Sequence, residues 1–243
     1  MPFRYCVSKT DLLFQPQLTG WALTKNIDTV YKILLIGMLL IFKLAPASAQ
    51  CDWKLKTEKD GIKVYTSEVA GSKIKAIKVV ANFNAPTAQL VALIMDVNSS
   101  ADWVYHTKSA VLVKQVSATE LYYYSEINLP WPAANRDFVA HLTATQNPDT
   151  KVVTIDGPAV TGIVPVKEGI VRVTTSKGKW VIAPAGPGQV NVVYTIHVDP
   201  GGSLPSWLVN MFATAGPIKI FNNIKLQLQN RANKNTVLAF AVN

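Results

Sequence analysis

Apolar and polar residues alternate over Gly61-Ile62-Lys63-Val64-Tyr65-Thr66 and, after a turn at Gly71-Ser72, again over residues 74–83. A period of two sets one row of side chains against a core and the other in water, so both stretches are predicted as strands. Asn84-Ala85-Pro86-Thr87 breaks the alternation. Beyond it, Leu90, Val91, Leu93, Ile94 and Val97 recur at helical spacing, and Pro86 suits a helix start because its missing N–H would be unsatisfied there anyway. Residues 96–103 are polar and turn-rich. Short strands are then predicted over 110–116, 120–128, 136–146 and 152–156. Two longer ones follow over 169–183 and 189–199, joined by Gly186-Pro187-Gly188. The pattern changes at Pro200-Gly201-Gly202. From Ser203 onward Trp207, Leu208, Met211, Phe212, Ala215 and Ile218 share a helical face, continued by Phe221, Ile224 and Leu228. Ser203 is placed to cap that helix and Pro205 sits in its first turn, while Gly216-Pro217 is expected to kink or interrupt it.

These elements predict one α+β domain: a meandering antiparallel sheet, curved around a long C-terminal helix. A sheet wrapped around a single helix is hard to fill with its own side chains, and such hollows are where small apolar ligands lodge.

The N-terminal part reads differently. Lys25 and Lys32 precede an apolar run over 33–42, and Lys43 is followed by Leu44-Ala45-Pro46-Ala47-Ser48-Ala49. A basic start, an apolar centre and an Ala-x-Ala ending make a secretory signal. Cleavage is predicted after Ala49, which divides the chain into a leader, 1–49, and a domain, 50–243. The expected location is periplasmic or secreted. The alternative is an uncleaved membrane anchor, with Lys43 snorkelling to extend a run that is about half the ~20 residues a spanning helix needs. Removing the leader takes Cys6 with it and leaves Cys51 alone, so the core rather than a disulfide must hold the fold.

Charge and chemistry narrow the function. The 243 residues carry 24 Lys and Arg against 15 Asp and Glu, a net charge of +9. Lys54, Lys56, Lys59, Lys63, Lys73, Lys75 and Lys78 alternate with apolar residues, as on a solvated sheet face. A basic face favours anionic lipid headgroups. No clustered basic stripe, RNP-like run or zinc spacing points to nucleic acid. His106, His141 and His197 lack metal-ligand spacing, and there is no nucleophile elbow or phosphate-binding glycine loop. Neither a metal nor a cofactor is expected, and the domain is expected not to be an enzyme. Trp103, Trp131 and Trp180 are expected to pack in the core or in turns.

Four signatures in order then resemble one family. They are the segment from Asp96 to Trp103; Pro130-Trp131-Pro132-Ala133-Ala134-Asn135-Arg136-Asp137-Phe138-Val139; Gly169-Ile170-Val171-Arg172; and Asp199-Pro200-Gly201-Gly202-Ser203-Leu204-Pro205-Ser206-Trp207-Leu208-Val209-Asn210. Together they resemble the START lipid-binding domain, from about Trp53 to Arg231. The resemblance implies a helix-grip fold with a tunnel between the sheet and the last helix, a lipid or other hydrophobic small molecule as partner, and transient contact with a membrane by a monomer. It also implies a gate in the segment before Gly169, here Ile163, Val164 and Pro165. Alternation puts Leu121, Tyr123 and Ser125 on one strand face, and Arg136, Phe138, Ala140 and Leu142 on another. With Arg172, and with Trp207, Leu208, Met211, Phe212 and Ala215 from the helix, they form the candidate ligand-binding set. Arg136 and Arg172 are candidate headgroup partners, with a structural salt bridge as the competing role. Ser125 and Leu142 stand where sterol-binding relatives place an acid and a base, so the sequence does not point to sterol. Related helix-grip cyclases and dehydratases supply the alternative, with Tyr123, His141 and Glu126 as acid–base groups. Alternation puts Tyr123 and Glu126 on opposite faces.

Overall fold

The computed structural model describes residues 52–202 and 204–233; the side chains of Ser206, Trp207, Asn210, Met211 and 231–233 also fall outside the description. The predicted leader, its cleavage position and Cys51 therefore lie outside the described residues.

Ten strands form one curved sheet: β1 (Lys54–Lys59), β2 (Ile62–Ser67), β3 (Ala76–Phe83), β4 (Thr107–Ser117), β5 (Glu120–Ile127), β6 (Arg136–Gln146), β7 (Val153–Val160), β8 (Val171–Arg172), β9 (Thr175–Gly186) and β10 (Gln189–Asp199). The spatial order is β1-β2-β3-β10-β9-β7-β6-β5-β4, and the two-residue β8 pairs in parallel with the start of β6. All other pairings are antiparallel. Sheet neighbours are consecutive in the chain except at β3–β10, where the last strand pairs with the third, and at β9–β7, where β8 leaves the path to pair with β6.

The predicted strands appear with shifted ends. β7 runs four residues beyond the expected Asp156, and the stretch expected as one strand over 169–183 divides into β8 and β9. Pro158 lies in the extension of β7. It has no N–H to give to the ladder, and no paired positions occur on β6 at His141 and Leu142, opposite Pro158 and Gly157.

Helix α1 (Thr87–Met95) follows Pro86, which is extended at φ −60°, ψ 148° and has no side-chain cap. Its apolar spacing buries Leu90, Val91, Leu93 and Ile94. A 3₁₀ turn (Val97–Ser99) leads into the short α2 (Ser100–Trp103), and α3 (Ser206–Ala213) and α4 (Ala215–Asn233) end the described chain. The interruption expected at Gly216-Pro217 falls earlier, at Thr214. Pro217 becomes the third residue of α4, inside the first turn, where a missing N–H costs no intrahelical bond.

Phe221, Ile224 and Leu228, spaced by three and four residues, bury one stripe of α4. That stripe joins Ile62, Val64, Val79, Phe83, Val153, Ile155, Trp180, Ile182 and Val192 in the core cluster. Full burial of each such side chain stabilises by ~1.5–3 kcal/mol. Polar ties fix the helix lengthwise. Gln89 Nε2 donates to the Leu228 carbonyl at 3.0 Å, Asn223 Nδ2 to the Trp103 carbonyl at 3.2 Å, and Lys225 Nζ to the Asp60 carbonyl at 2.7 Å.

Candidate functional site

Strand register decides which side chains look inward. On β5 and β6, Leu121 stands opposite Leu142, Tyr123 opposite Ala140, Ser125 opposite Phe138 and Ile127 opposite Arg136. Directly opposed residues share a sheet face. The inward face continues through Gly157 and Ala159 on β7, Ser176, Gly178 and Trp180 on β9, and Tyr194 and Ile196 on β10.

This face has two unlike halves. Around Phe221 of α4, the rings of Phe83, Phe221, Trp180 and Tyr194 form a continuous aromatic stack. Its centroid spacings are 5.7 Å, 5.6 Å and 4.2 Å, with interplanar angles of 28°, 18° and 29°. That half is packed solid. The other half is floored by small residues, Gly157, Gly178, Ala140, Ala159, Ser125 and Ser176. Gly157 and Gly178 lie in the middle of the sheet and are still only half-buried. What covers them is borrowed. Leu142 Cδ2 lies 2.7 Å from where a Cβ on Gly157 would sit, and the Tyr194 hydroxyl lies 3.4 Å from the equivalent point on Gly178.

Tyr123 and Tyr194 mark the boundary between the halves. Burial pushes the Tyr123 phenol up to about 12. Burial raises the Tyr194 phenol as well, with the nearby Tyr123 adding to the effect. Yet both side chains keep open surface, being only half-buried. Tyr123 meets Phe138 edge-on at 5.7 Å, and Leu112 is its inward neighbour on β4.

Both arginines of the candidate set are engaged by the protein. Arg136, on the inward face, donates from Nε to the Pro200 carbonyl at 3.3 Å, from Nη2 to the Gly201 carbonyl at 3.1 Å, and from Nη1 to the Ala134 carbonyl at 2.5 Å. It ties the start of β6 to the Gly-Gly turn ahead of α3. That turn needs glycine: φ is +68° at Gly201 and +63° at Gly202, a region that L side chains rarely adopt. Arg172 belongs to the opposite face. Its Nε and Nη2 hold the two carboxylate oxygens of Asp137 at 2.7 and 3.0 Å, and Asp137 is wholly buried. Its Nη1 and Nη2 also reach the Val164 and Pro165 carbonyls at 2.9 and 3.0 Å. One guanidinium thus pins the expected gate segment to the sheet.

A second polar group sits beside it. Glu126 is buried and accepts from Lys108 Nζ at 2.8 Å and Asn135 Nδ2 at 3.0 Å, with Lys167 Nζ at 3.9 Å. The Lys108 hydrogen bond holds its carboxyl below the usual range against the opposing effect of burial. The segment expected as the gate lines an open cleft, from Thr161 to Val166 with Arg172 and Thr174. Its apolar tips are bare: Val166 is 68% exposed and Ile163 43%. The neighbouring turn presents Trp131 at 91% exposure, against the packing role expected from sequence. Both turns leave one end of the sheet, since the Val171 N–H donates to the Asn135 carbonyl at 2.9 Å.

Of the helix residues in the candidate set, Leu208 is fully buried and Ala215 is exposed. Phe212 lies against Tyr105 and His106 at 6.2 and 5.8 Å. Trp207 and Met211 are side chains outside the description. The three groups of the enzymatic alternative do not meet. Tyr123 looks inward, whereas His141 stacks on Tyr122 at 4.3 Å and binds Glu120 at 2.8 Å on the outer face, which Glu126 shares. Sequence reasoning missed Tyr194, Gly157 and Gly178. The alternation of Val190, Val192, Tyr194 and Ile196 along β10 carried the signal for the first.

Comparison with known proteins settles the family. The START domain profile matches residues 39–234, a span that takes in every described element. The chain belongs to the START domain family. An uncharacterised protein of Pseudomonas aeruginosa is 36% identical over 191 residues, covering 79% of this chain and 94% of its own. Phosphatidylcholine transfer protein of Mus musculus is 27% identical over 190 residues, covering 76% and 87%. Among solved structures, a STAR-related lipid transfer protein from Xanthomonas axonopodis superposes with a TM-score of 0.67 at 31% identity. That match covers 73% of this chain and 98% of the other. START domains are known for binding and transferring lipids. In this START domain the small-residue half of the inward face, the Arg136-held turn before α3 and the Arg172-held segment lie along one end of the sheet.

Proposed function

We propose that this START domain encloses a lipid-like molecule between the glycine- and alanine-floored half of its sheet and its last two helices. The observation that carries the reading is the small-residue floor itself, where Gly157 and Gly178, in the middle of the sheet on adjacent strands, stay only half-buried. Leaving a membrane for water costs an acyl chain ~0.8 kcal/mol per methylene, so a carrier must return most of that through apolar walls. Leu121, Phe138, Ala140, Leu142 and Leu112 supply such walls, with Leu208 and Phe212 on the helical side. We further propose that the cargo passes at the end of the sheet where Ile163, Val164 and Pro165 lie, and that Val166, Ile163 and Trp131 touch the bilayer during passage. Exposed apolar tips of this kind mark contact sites, and tryptophan is suited to the membrane–water boundary. The secretory pattern over 33–49 supports action outside the cytoplasm, which the mass of the mature N-terminus from the native host tests.

The transfer step is tested with donor vesicles carrying a self-quenched pyrene-labelled phospholipid and unlabelled acceptors. The unaltered protein is expected to accelerate dequenching, and the double variant Trp131→Ala, Val166→Asp to slow it at least fivefold while retaining its bound lipid. Equal rates for the two proteins would contradict the proposed contact surface.

A further inference from the structure

Register arranges the inward face in rows that run across the strands. One row is filled by large side chains, Ile155 on β7, Trp180 on β9 and Tyr194 on β10. The next row, toward the Arg136 end, starts with Leu121 on β5 and Leu142 on β6, meets Gly157 and Gly178 on β7 and β9, and resumes with Ile196 on β10. Beyond it lie Ala140, Ala159 and Ser176. The two glycines therefore leave a gap two strands wide beside the packed aromatic row. Its two sides are covered differently. The Tyr194 hydroxyl lies 3.4 Å from where a Cβ on Gly178 would sit, which is ordinary contact. Leu142 Cδ2 lies 2.7 Å from the equivalent point on Gly157, closer than real Cβ atoms come to anything. The Leu142 side chain thus occupies room that exists only because residue 157 is glycine.

Leu142 has one direction in which to move if that room is taken. Leu121, opposite it on β5, and Ile155, one row back on β7, are both fully buried. Only the side of Ala140 and Ala159 is free of large side chains on the neighbouring rows. A leucine lying on Gly157 keeps the small-residue floor clear, and a leucine lifted from Gly157 stands over that floor.

We propose that Leu142, seated on Gly157, is the stop that sets how long an apolar chain the domain accepts, with the Trp180 and Tyr194 row as the wall behind it. This deepens the carrier reading above and rests on it: membership of the START family points to a lipid, and the register points to where its chain ends. An aliphatic chain gains about fourfold in affinity for each methylene moved from water into apolar surroundings. It gains nothing more once the next methylene meets Leu142, so the position of one leucine side chain becomes a choice between chain lengths.

The test uses methyl esters of straight-chain fatty acids, each a methylene longer than the last, displacing a pyrene-labelled phospholipid from the full-length protein. For the unaltered protein, affinity is expected to climb about fourfold per methylene and then level off at a defined length. Gly157→Ala drives Leu142 off the sheet. The obstacle is the free end of a side chain and residue 157 lies in a regular strand, so the variant is expected to fold. Its plateau should arrive about one methylene earlier, with the longest esters weakened about fourfold. Gly178→Ala, whose Cβ would only touch the Tyr194 hydroxyl, should leave the plateau in place. Valine has no δ carbon, so Leu142→Val added to Gly157→Ala should restore the original length. Leu142→Val alone, which displaces nothing, should extend it, and an unmoved plateau in that variant overturns the stop by itself. A plateau that is absent from the unaltered protein, unmoved by Gly157→Ala, moved equally by Gly178→Ala, or not restored in the double variant also overturns the role of Leu142 and leaves the carrier reading standing. An unaltered protein that takes up neither the esters nor the phospholipid overturns both.

Discussion

Arg172 holds more contacts than its place in a two-residue strand would suggest. It pairs with a fully buried carboxylate through two nitrogens and binds two carbonyls of the segment 161–170. Removing it leaves Asp137 charged, buried and unpaired, which typically costs about 3–5 kcal/mol. Arg172→Ala is therefore expected to lower unfolding stability by that amount in urea titrations and to open the segment near Val164 to limited proteolysis. Arg172→Lys should recover only part of the loss, because a lysine ammonium cannot reproduce a bidentate fork. Wild-type stability in the lysine variant would show that the planar geometry is unimportant. The sequence offered Arg172 both as a headgroup partner and as a salt-bridge member, and alternation alone left the choice open. What decided its position was the parallel pairing of β8 with β6, which puts Arg172 beside Asp137. No local pattern in two residues predicts that partner. Trp131 is the reverse case. A tryptophan between two prolines reads as a packing residue, and its exposure depends on how the turn projects from the sheet.

At the scale of elements, the strands from β2 to β10 were largely legible because half-buried strands alternate strictly, and α1 because its apolar spacing is helical. The misplaced boundaries have separate causes. Beyond the expected end at Asp156, Gly157 and Pro158 pair with Gly178 and Lys177 of β9, and Ala159 and Val160 pair with Ala140 and Val139 of β6, so the ladder carries β7 on. The interruption of the last helix moved from Gly216-Pro217 to Thr214 because proline is harmless in a first turn. The small-residue floor was less visible still. Gly157 and Gly178 look like ordinary strand glycines until register puts them on adjacent strands and the same inward face. Their role is testable through Ser176 and Ala159, inward and half-buried positions on the same floor. Ser176→Phe or Ala159→Phe is expected to remove most bound pyrene-labelled phospholipid while shifting the melting temperature by no more than a few degrees. A densely packed interior gives the opposite result, because overpacking destabilises by about 1–3 kcal/mol whether or not a ligand is present.

For the whole molecule, the division of labour runs along the length of the last two helices. The aromatic stack joining Phe83, Phe221, Trp180 and Tyr194 and the stripe Phe221, Ile224 and Leu228 provide a densely packed core. The other end is floored by small side chains, fastened by Arg136 and Arg172, and bare at Trp131, Ile163 and Val166. A protein built to store its core would not leave central glycines half-open beneath helices. Native mass spectrometry of the protein purified from its own host, followed by lipid extraction, measures this directly. The account predicts one lipid per chain, lost on denaturation and recovered chemically intact. A ligand-free mass, with added lipid also failing to bind, would mean that the protein's own side chains fill the interior, and the account would be wrong.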